Sequence, residues 1–152
     1  MNATDKVLAL LYDRAEGYFA LDELAAGAGV RRQRLEGLLE DLRRAGQRLE
    51  ASPASGVRLV RPAGLSAHLI ERRLGTRRVG VHAICFNEVD STNDVAFDSA
   101  RQAGSDGLAV LAESQRRGRG RMGRRWVSPP RANLLMSVLL VDPRAALPQE
   151  AL

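Results

Sequence analysis

Apolar positions recur at helical spacing three times near the start of the chain. Residues 4–14 set Val7, Leu8 and Leu11 on one face, and residues 21–28 set Leu21, Leu24 and Ala25 together. Residues 31–45 place Leu35, Leu38, Leu39 and Leu42 at i, i+3, i+4 and i+7. Each spacing predicts an amphipathic helix. Gly29 predicts a tight turn between the second and third, and Gly46 a C′ stop after the third. Ala20 and Arg31 stand where Ser, Thr, Asp or Asn is preferred as a cap, each missing cap costing about 1 kcal/mol. Asp22 and Glu23 offset part of that cost at the second helix through its dipole. Two short runs follow, Gln47–Ala51 and Gly56–Val60, joined by Ser52-Pro53-Ala54-Ser55, which predicts a hairpin. Three helices and then a hairpin form a winged helix-turn-helix pattern, assigned to residues 1–63.

Pro62–Gly64 marks a boundary. Beyond it Ser66 predicts a short helix with Leu69, Ile70 and Leu74 inward and Gly75 as its stop. Val79–Glu88 predicts a strand. Ser91 opens another helix, with Val95, Ala96, Ala100 and Ala103 on one face and Gly104 beyond. Leu108–Glu113 and Asn133–Val141 predict buried strands, separated by a long glycine–arginine loop that runs to about Ala132. Strand, helix, strand, loop, strand is the beginning of a mixed α/β domain, assigned to residues 64–152. The core it offers is thin for its length, so the expectation is the front portion of a larger protein.

Composition changes this picture in three ways. Aromatics are only 4% of the chain, so the cores must be built from Leu, Val and Ala. The formal charge of +5 is uneven: residues 1–60 carry nine basic and nine acidic side chains, and residues 61–152 carry fourteen and nine. The one cysteine, Cys85, lies in an apolar run and reads as a small core residue, which fits a reducing, cytoplasmic setting. Val7–Tyr12 is too short for a signal h-region. The longest apolar stretch, Leu134–Val141, is broken by Ser137 and far too short to span a membrane.

The basic excess centres on Glu113-Ser114-Gln115-Arg116-Arg117-Gly118-Arg119-Gly120-Arg121-Met122-Gly123-Arg124-Arg125-Trp126. Glycine lets a backbone approach a ligand closely, and a guanidinium fork matches phosphate and carboxylate oxygens. Gly118, Gly120 and Gly123 satisfy G-x-G-x-x-G, but Pro129-Pro130 would break the helix that a dinucleotide fingerprint must open. A single-stranded nucleic acid segment and a solvated basic loop remain as rivals to an anion-binding loop. A second constellation is Asp90-Ser91-Thr92-Asn93-Asp94. Ser91 with Asp94 has the spacing of a capping box; the same hydroxyl and amide groups at a helix start also suit a polar ligand. No metal-ligand pattern is present, and His68 and His82 read as structural.

Asp90-Ser91-Thr92-Asn93, then Gln115-x-x-Gly118-Arg119-Gly120-Arg121-x-Gly123-Arg124-x-Trp126-x-Ser128-Pro129, then Asn133-Leu134, resembles the biotin–protein ligases. With its winged helix in front, the chain resembles the bifunctional members, which also repress biotin operons. The fold class implied is α+β: a winged helix followed by the first part of a mixed α/β biotin/lipoate-ligase domain of class II synthetase-like architecture. The activity implied is joining biotin to ATP as biotinyl-5′-adenylate, with Mg2+ accompanying the nucleotide, then transfer to a lysine of a biotin carboxyl carrier domain. The biotin-binding residues implied are Ser91, Thr92, Asn93, Gln115, Arg119, Gly120 and Arg121. The adenylate loop implied is Gly118, Arg119, Gly120, Arg121, Gly123, Arg124 and Trp126. Trp126 reads equally as an adenine neighbour or as a core residue closing the loop base, which Asn133 orders. The family's active-site lysine lies in a later Lys-Trp-Pro-Asn motif, expected beyond Leu152. The expectation is therefore that the chain alone is inactive and that the complete protein is a possible homodimer.

The third helix begins Arg31-Arg32-Gln33-Arg34, side chains able to reach phosphates and guanine edges of an operator in the major groove. Regulation or dimer contact without operator recognition stays open. So does a plain winged-helix DNA-binding regulator with a basic tail and no ligase activity.

Overall fold

Leucines at helical spacing organise the first part of the computed structural model, which describes residues 1–14, 17–120, 122, 124–129 and 132–141. Helices α1 (Ala3–Asp13), α2 (Leu21–Ala28) and α3 (Arg32–Arg44) bury Val7, Leu8, Leu11, Leu24, Leu35, Leu38, Leu39 and Leu42 in one core. Asn2 caps α1, its side-chain oxygen accepting from the Asp5 N–H at 2.8 Å, a cap the hydrophobic pattern did not announce. Ala20 and Arg31 head α2 and α3 without any side-chain cap bond. Gly29 ends α2 at φ 70°, and Gly46 follows α3 at φ 89°, the left-handed conformation glycine tolerates.

Strands β1 (Leu49–Ser52) and β2 (Gly56–Leu59) pair antiparallel, with Leu49 opposite Leu59. Val57 and Leu59 complete the core, and Phe19 bonds Val57 through both backbone groups at 2.8 and 2.9 Å. That approach is so close that a Cβ on Gly56 (φ 96°) would lie 1.9 Å from the Phe19 carbonyl oxygen. Buried Gln47 fastens the exit from the hairpin. Its amide accepts from the Gly64 N–H at 3.0 Å and donates to the Gly64 carbonyl at 3.1 Å. Gly64–Leu69 consequently stay with the first of two compact units, Met1–Leu69 and Ile70–Leu152.

Helix α4 (Ala67–Leu74) runs across that division. Ser66 accepts from the Leu69 N–H at 3.4 Å. Of the expected inward face, Leu69 packs against the first core and Ile70 is partly buried, whereas Leu74 is exposed and no residue of α4 is fully buried. Glu71 instead accepts from the Ala83 N–H at 2.6 Å.

The second unit is a three-stranded sheet in the order β3 (Ala83–Phe86), β4 (Ala109–Ala112), β7 (Leu135–Val138). β3 and β4 are parallel, joined by a crossover through α5 (Thr92–Ser99), and β7 returns antiparallel to β4. Ala96, Leu108 and Val110 pack with Phe86, Val95 and Leu139 between helix and sheet. β3 is shorter than the run from Val79 to Glu88 suggested. Gly80 turns at φ 77° and donates to the Gly107 carbonyl at 2.8 Å, and His82 accepts from the Ala109 N–H at 3.0 Å, but the regular strand begins only at Ala83. The long loop is also corrected: it contains a hairpin of β5 (Gly118–Arg119) and β6 (Arg125–Trp126). Cys85 is half-buried on β3, and burial, with Glu71 and Glu113 nearby, pushes its thiol up to about 11. It therefore stays protonated and unreactive at neutral pH.

Candidate functional site

Parallel strands deliver their C-terminal ends side by side, and in open α/β sheets that is where ligands collect. β3 leads into Glu88–Ser91, and β4 leads into Glu113–Arg117. The pairing continues past both strands: Arg116 donates its N–H to the Val89 carbonyl at 2.9 Å and Arg117 to the Asp90 carbonyl at 2.8 Å. This zipper sets Gln115 against the first turn of α5.

The start of α5 is satisfied in an unexpected way. Ser91 occupies the N-cap position and is 1% exposed, yet its side chain makes no cap bond. The Gln115 side-chain amide oxygen accepts from the Thr92 N–H at 2.7 Å and from the Thr92 hydroxyl at 3.1 Å. The capping-box reading of Ser91 with Asp94 is therefore replaced by a cap supplied from 23 residues away. The Thr92 hydroxyl also lies 2.8 Å from the Ser137 hydroxyl on β7, which in turn donates to the Asn93 amide oxygen. Ser137 was missed as a site residue. Its signal was present as the single polar break in the Leu134–Val141 run.

Asp94 turns instead to the hairpin, where Arg119 Nη2 meets its carboxylate at 2.9 Å. Asp90 holds the hairpin's root: Arg116 Nε donates to it at 2.7 Å, and Arg117 Nη1 stands 3.7 Å from its other oxygen. Gly118 passes directly beneath β6, where a Cβ would meet the Trp126 carbonyl at 2.7 Å, and Gly120 donates to the Arg124 carbonyl at 2.7 Å. Met122, at φ 57° and fully exposed, lies between β5 and β6 in sequence. Asn133 donates to the Ser128 hydroxyl at 2.8 Å, a tie at the base of the loop.

Ser91, Thr92, Asn93, Gln115, Arg119 and Trp126 thus line one cavity of about 190 Å³ together with Leu134–Ser137. Trp126 is 50% exposed, so the core-filling role does not describe it. A larger cavity of about 690 Å³ adjoins, lined by Asp90, Arg116, Arg117, Gly118, Arg119, Arg124 and Arg125. Arg119 lines both. One recess offers hydroxyl, amide and indole groups to a small polar body; the other offers guanidinium groups to an anion. Arg121 and Gly123 lie outside the described residues. Arg31, Arg32, Gln33 and Arg34 belong to the first unit, exposed at the start of α3, with Arg32 paired to Asp22 at 2.8 Å. Among the described residues, no cluster of His, Cys, Asp or Glu is arranged to hold a metal. None of their helices is long and apolar enough to cross a membrane.

A family model described as the biotin/lipoate A/B protein ligase family matches residues 85–151. The bifunctional ligase/repressor BirA of Bacillus spizizenii is 36% identical over 103 residues, 67% of this chain and 32% of that protein. BirA of Salmonella typhimurium is 34% identical over 140 residues, 91% of this chain and 42% of that protein. BirA of Escherichia coli is 35% identical over 135 residues, covering 88% and 40%. The chain spans less than half the length of these curated relatives.

Proposed function

The chain belongs to the biotin/lipoate A/B protein ligase family, and from that membership we propose that it serves ATP-dependent biotinylation coupled to repression of transcription. In the reaction, a carboxylate oxygen of biotin attacks the α-phosphorus of ATP. The bond to the β-phosphate breaks and pyrophosphate leaves. A lysine amine of a carboxyl carrier domain then attacks the acyl carbon of the adenylate, and AMP leaves.

The first step brings a carboxylate toward a polyphosphate, and that repulsion must be offset by fixed positive charge. Arg119, at the join of the two cavities, stands where both anions meet. Thr92, Asn93, Gln115 and Ser137 supply donors and acceptors for the ureido head, with Ser91 packed behind them. Gly118 and Gly120 let the hairpin lie close, and Trp126 offers a face to the adenine. Arg121, Gly123 and Arg124 complete the adenylate loop of this reading. Mg2+ enters as a companion of the ATP phosphates. The described carboxylates form no ligand set of their own, and no step is assigned to the ion.

The supporting observation is the bond from the Thr92 N–H to the Gln115 side-chain amide oxygen, which joins the two sequence motifs into one recess. Calorimetry with the sulfamoyl analogue of biotinyl-adenylate tests it. Saturable one-to-one binding that weakens at least tenfold in Arg119→Gln is the expected result, and no heat of binding to the wild-type chain would rule the reading out.

Residues 1–63 are assigned as a winged helix, supported by three helices and an antiparallel hairpin in order, with Arg31, Arg32, Gln33 and Arg34 facing operator DNA. Residues 64–152 are assigned to the catalytic domain, with 64–69 packed on the first unit. Its partners on this reading are the carrier domain, the operator and a second copy of the protein.

A further inference from the structure

The guanidinium of Arg119 is already occupied. Its Nη2 lies 2.9 Å from Oδ1 of Asp94 and 3.1 Å from Oδ2. Asp94 sits in the first turn of α5, beside the small cavity, and the pair is exposed, with 67% and 39% of the two side chains accessible. An ion pair open to water is weak and exchangeable. The arginines of the larger cavity differ in their commitments. Arg116 is tied to Asp90, whereas among the described residues no carboxylate pairs with Arg124 or Arg125, and Arg125 donates only to the Arg116 carbonyl at 3.2 Å.

We infer that Asp94 is the affinity-setting residue of this anion site, a built-in carboxylate that a ligand must displace from Arg119. A small single anion gains little by the exchange. It takes one guanidinium and leaves the Asp94 charge facing its own. An extended phosphate chain gains more, because from Arg119 it also reaches Arg124 and Arg125 along the wall of the larger cavity. Asp94 therefore lowers the affinity for every anion that takes Arg119, and the preference for extended phosphates comes from Arg124 and Arg125. That the extended phosphate belongs to ATP rests on the function proposed above; the displacement does not.

Trp126 is the only tryptophan of the chain and shares the small cavity with Arg119, so its fluorescence reports on the site. Inorganic phosphate and pyrophosphate are titrated into the full chain and into Asp94→Asn, Asp94→Glu and the Asp94→Asn/Arg119→Gln pair, with calorimetry as a second readout. Asp94→Asn is expected to bind pyrophosphate about two- to five-fold tighter at low salt, the scale of one exposed ion pair. Phosphate should gain by a similar factor, because the pair that must be broken is the same for both anions. Salt weakens both the internal pair and the ligand pair, so affinity should fall more steeply with salt in Asp94→Asn than in the wild type. Asp94→Glu should stay near the wild type. A merely structural role for Asp94 would make Asp94→Asn bind more weakly. Equal or weaker pyrophosphate binding by Asp94→Asn, a gain that survives Arg119→Gln, or no pyrophosphate binding to the wild type by calorimetry each overturns the inference. If the gain appears while the sulfamoyl conjugate fails to bind, the ligase reading falls and this one stands.

Discussion

Gln115 serves two roles with one side-chain amide oxygen: it caps the first turn of α5 and fixes the hydroxyl of Thr92. No other polar side chain caps that turn, because the Ser91 side chain makes no cap bond and Asp94 has turned to Arg119. Truncating Gln115 to alanine leaves a half-buried N–H without its acceptor, at a cost of about 1–3 kcal/mol. Chemical denaturation of Gln115→Ala should show a loss in that range. Calorimetry should show weaker binding of the adenylate analogue as well, because the Thr92 hydroxyl loses its orientation. Unchanged stability would mean that water caps α5 equally well.

At the scale of elements, the hairpin of β1 and β2 is docked through the Phe19–Val57 backbone pair, and Gly56 is the residue that allows it. A methyl group there meets a carbonyl oxygen at 1.9 Å with φ at 96°, so both space and conformation oppose it. Gly56→Ala should destabilise the chain by about 2–4 kcal/mol, as a backbone-strain substitution does, measured as a lower denaturation midpoint. Gly29→Ala, with open space around it, meets only the conformational penalty and should cost about 1 kcal/mol. The helices of the first unit were legible to within a residue or so, because leucines at 3.6 spacing register directly in burial. Gly29, Gly46 and Gly75 were legible too, because a left-handed position selects its residue. β3 was overestimated, since an apolar run does not say where a glycine turn such as Gly80 delays the start of the regular strand. The hairpin of β5 and β6 was read as loop: Gly118 and Arg119 carry no strand preference, and their pairing with Trp126 and Arg125 comes from tertiary contact. The resemblance to the biotin–protein ligases singled out Ser91, Thr92, Asn93, Gln115 and Arg119, and these residues line one cavity. Asp94 was not singled out as a partner of Arg119, because its distance in sequence to Ser91 suggested a cap.

For the molecule as a whole, charge is the coarse variable. Residues 1–60 are neutral in sum, so any hold on DNA must come from a local patch. With Arg31, Arg32 and Arg34 as that patch, a gel-shift series on duplex DNA should give a slope of log K against log salt of about −2 to −3. Arg31→Ala with Arg34→Ala should flatten it, and a slope near zero in the wild type would remove operator binding from the proposal. The recess obeys a different logic at this scale. Its hydroxyl and amide groups arrive from α5, from the segment after β4 and from β7, and an eight-residue helix does not hold itself together in water. Ser137 must be in place before Asn93 and Thr92 are both fixed. The recess is consequently indivisible: any excision narrower than Ala83 through Val138 discards a wall along with the strand it removes.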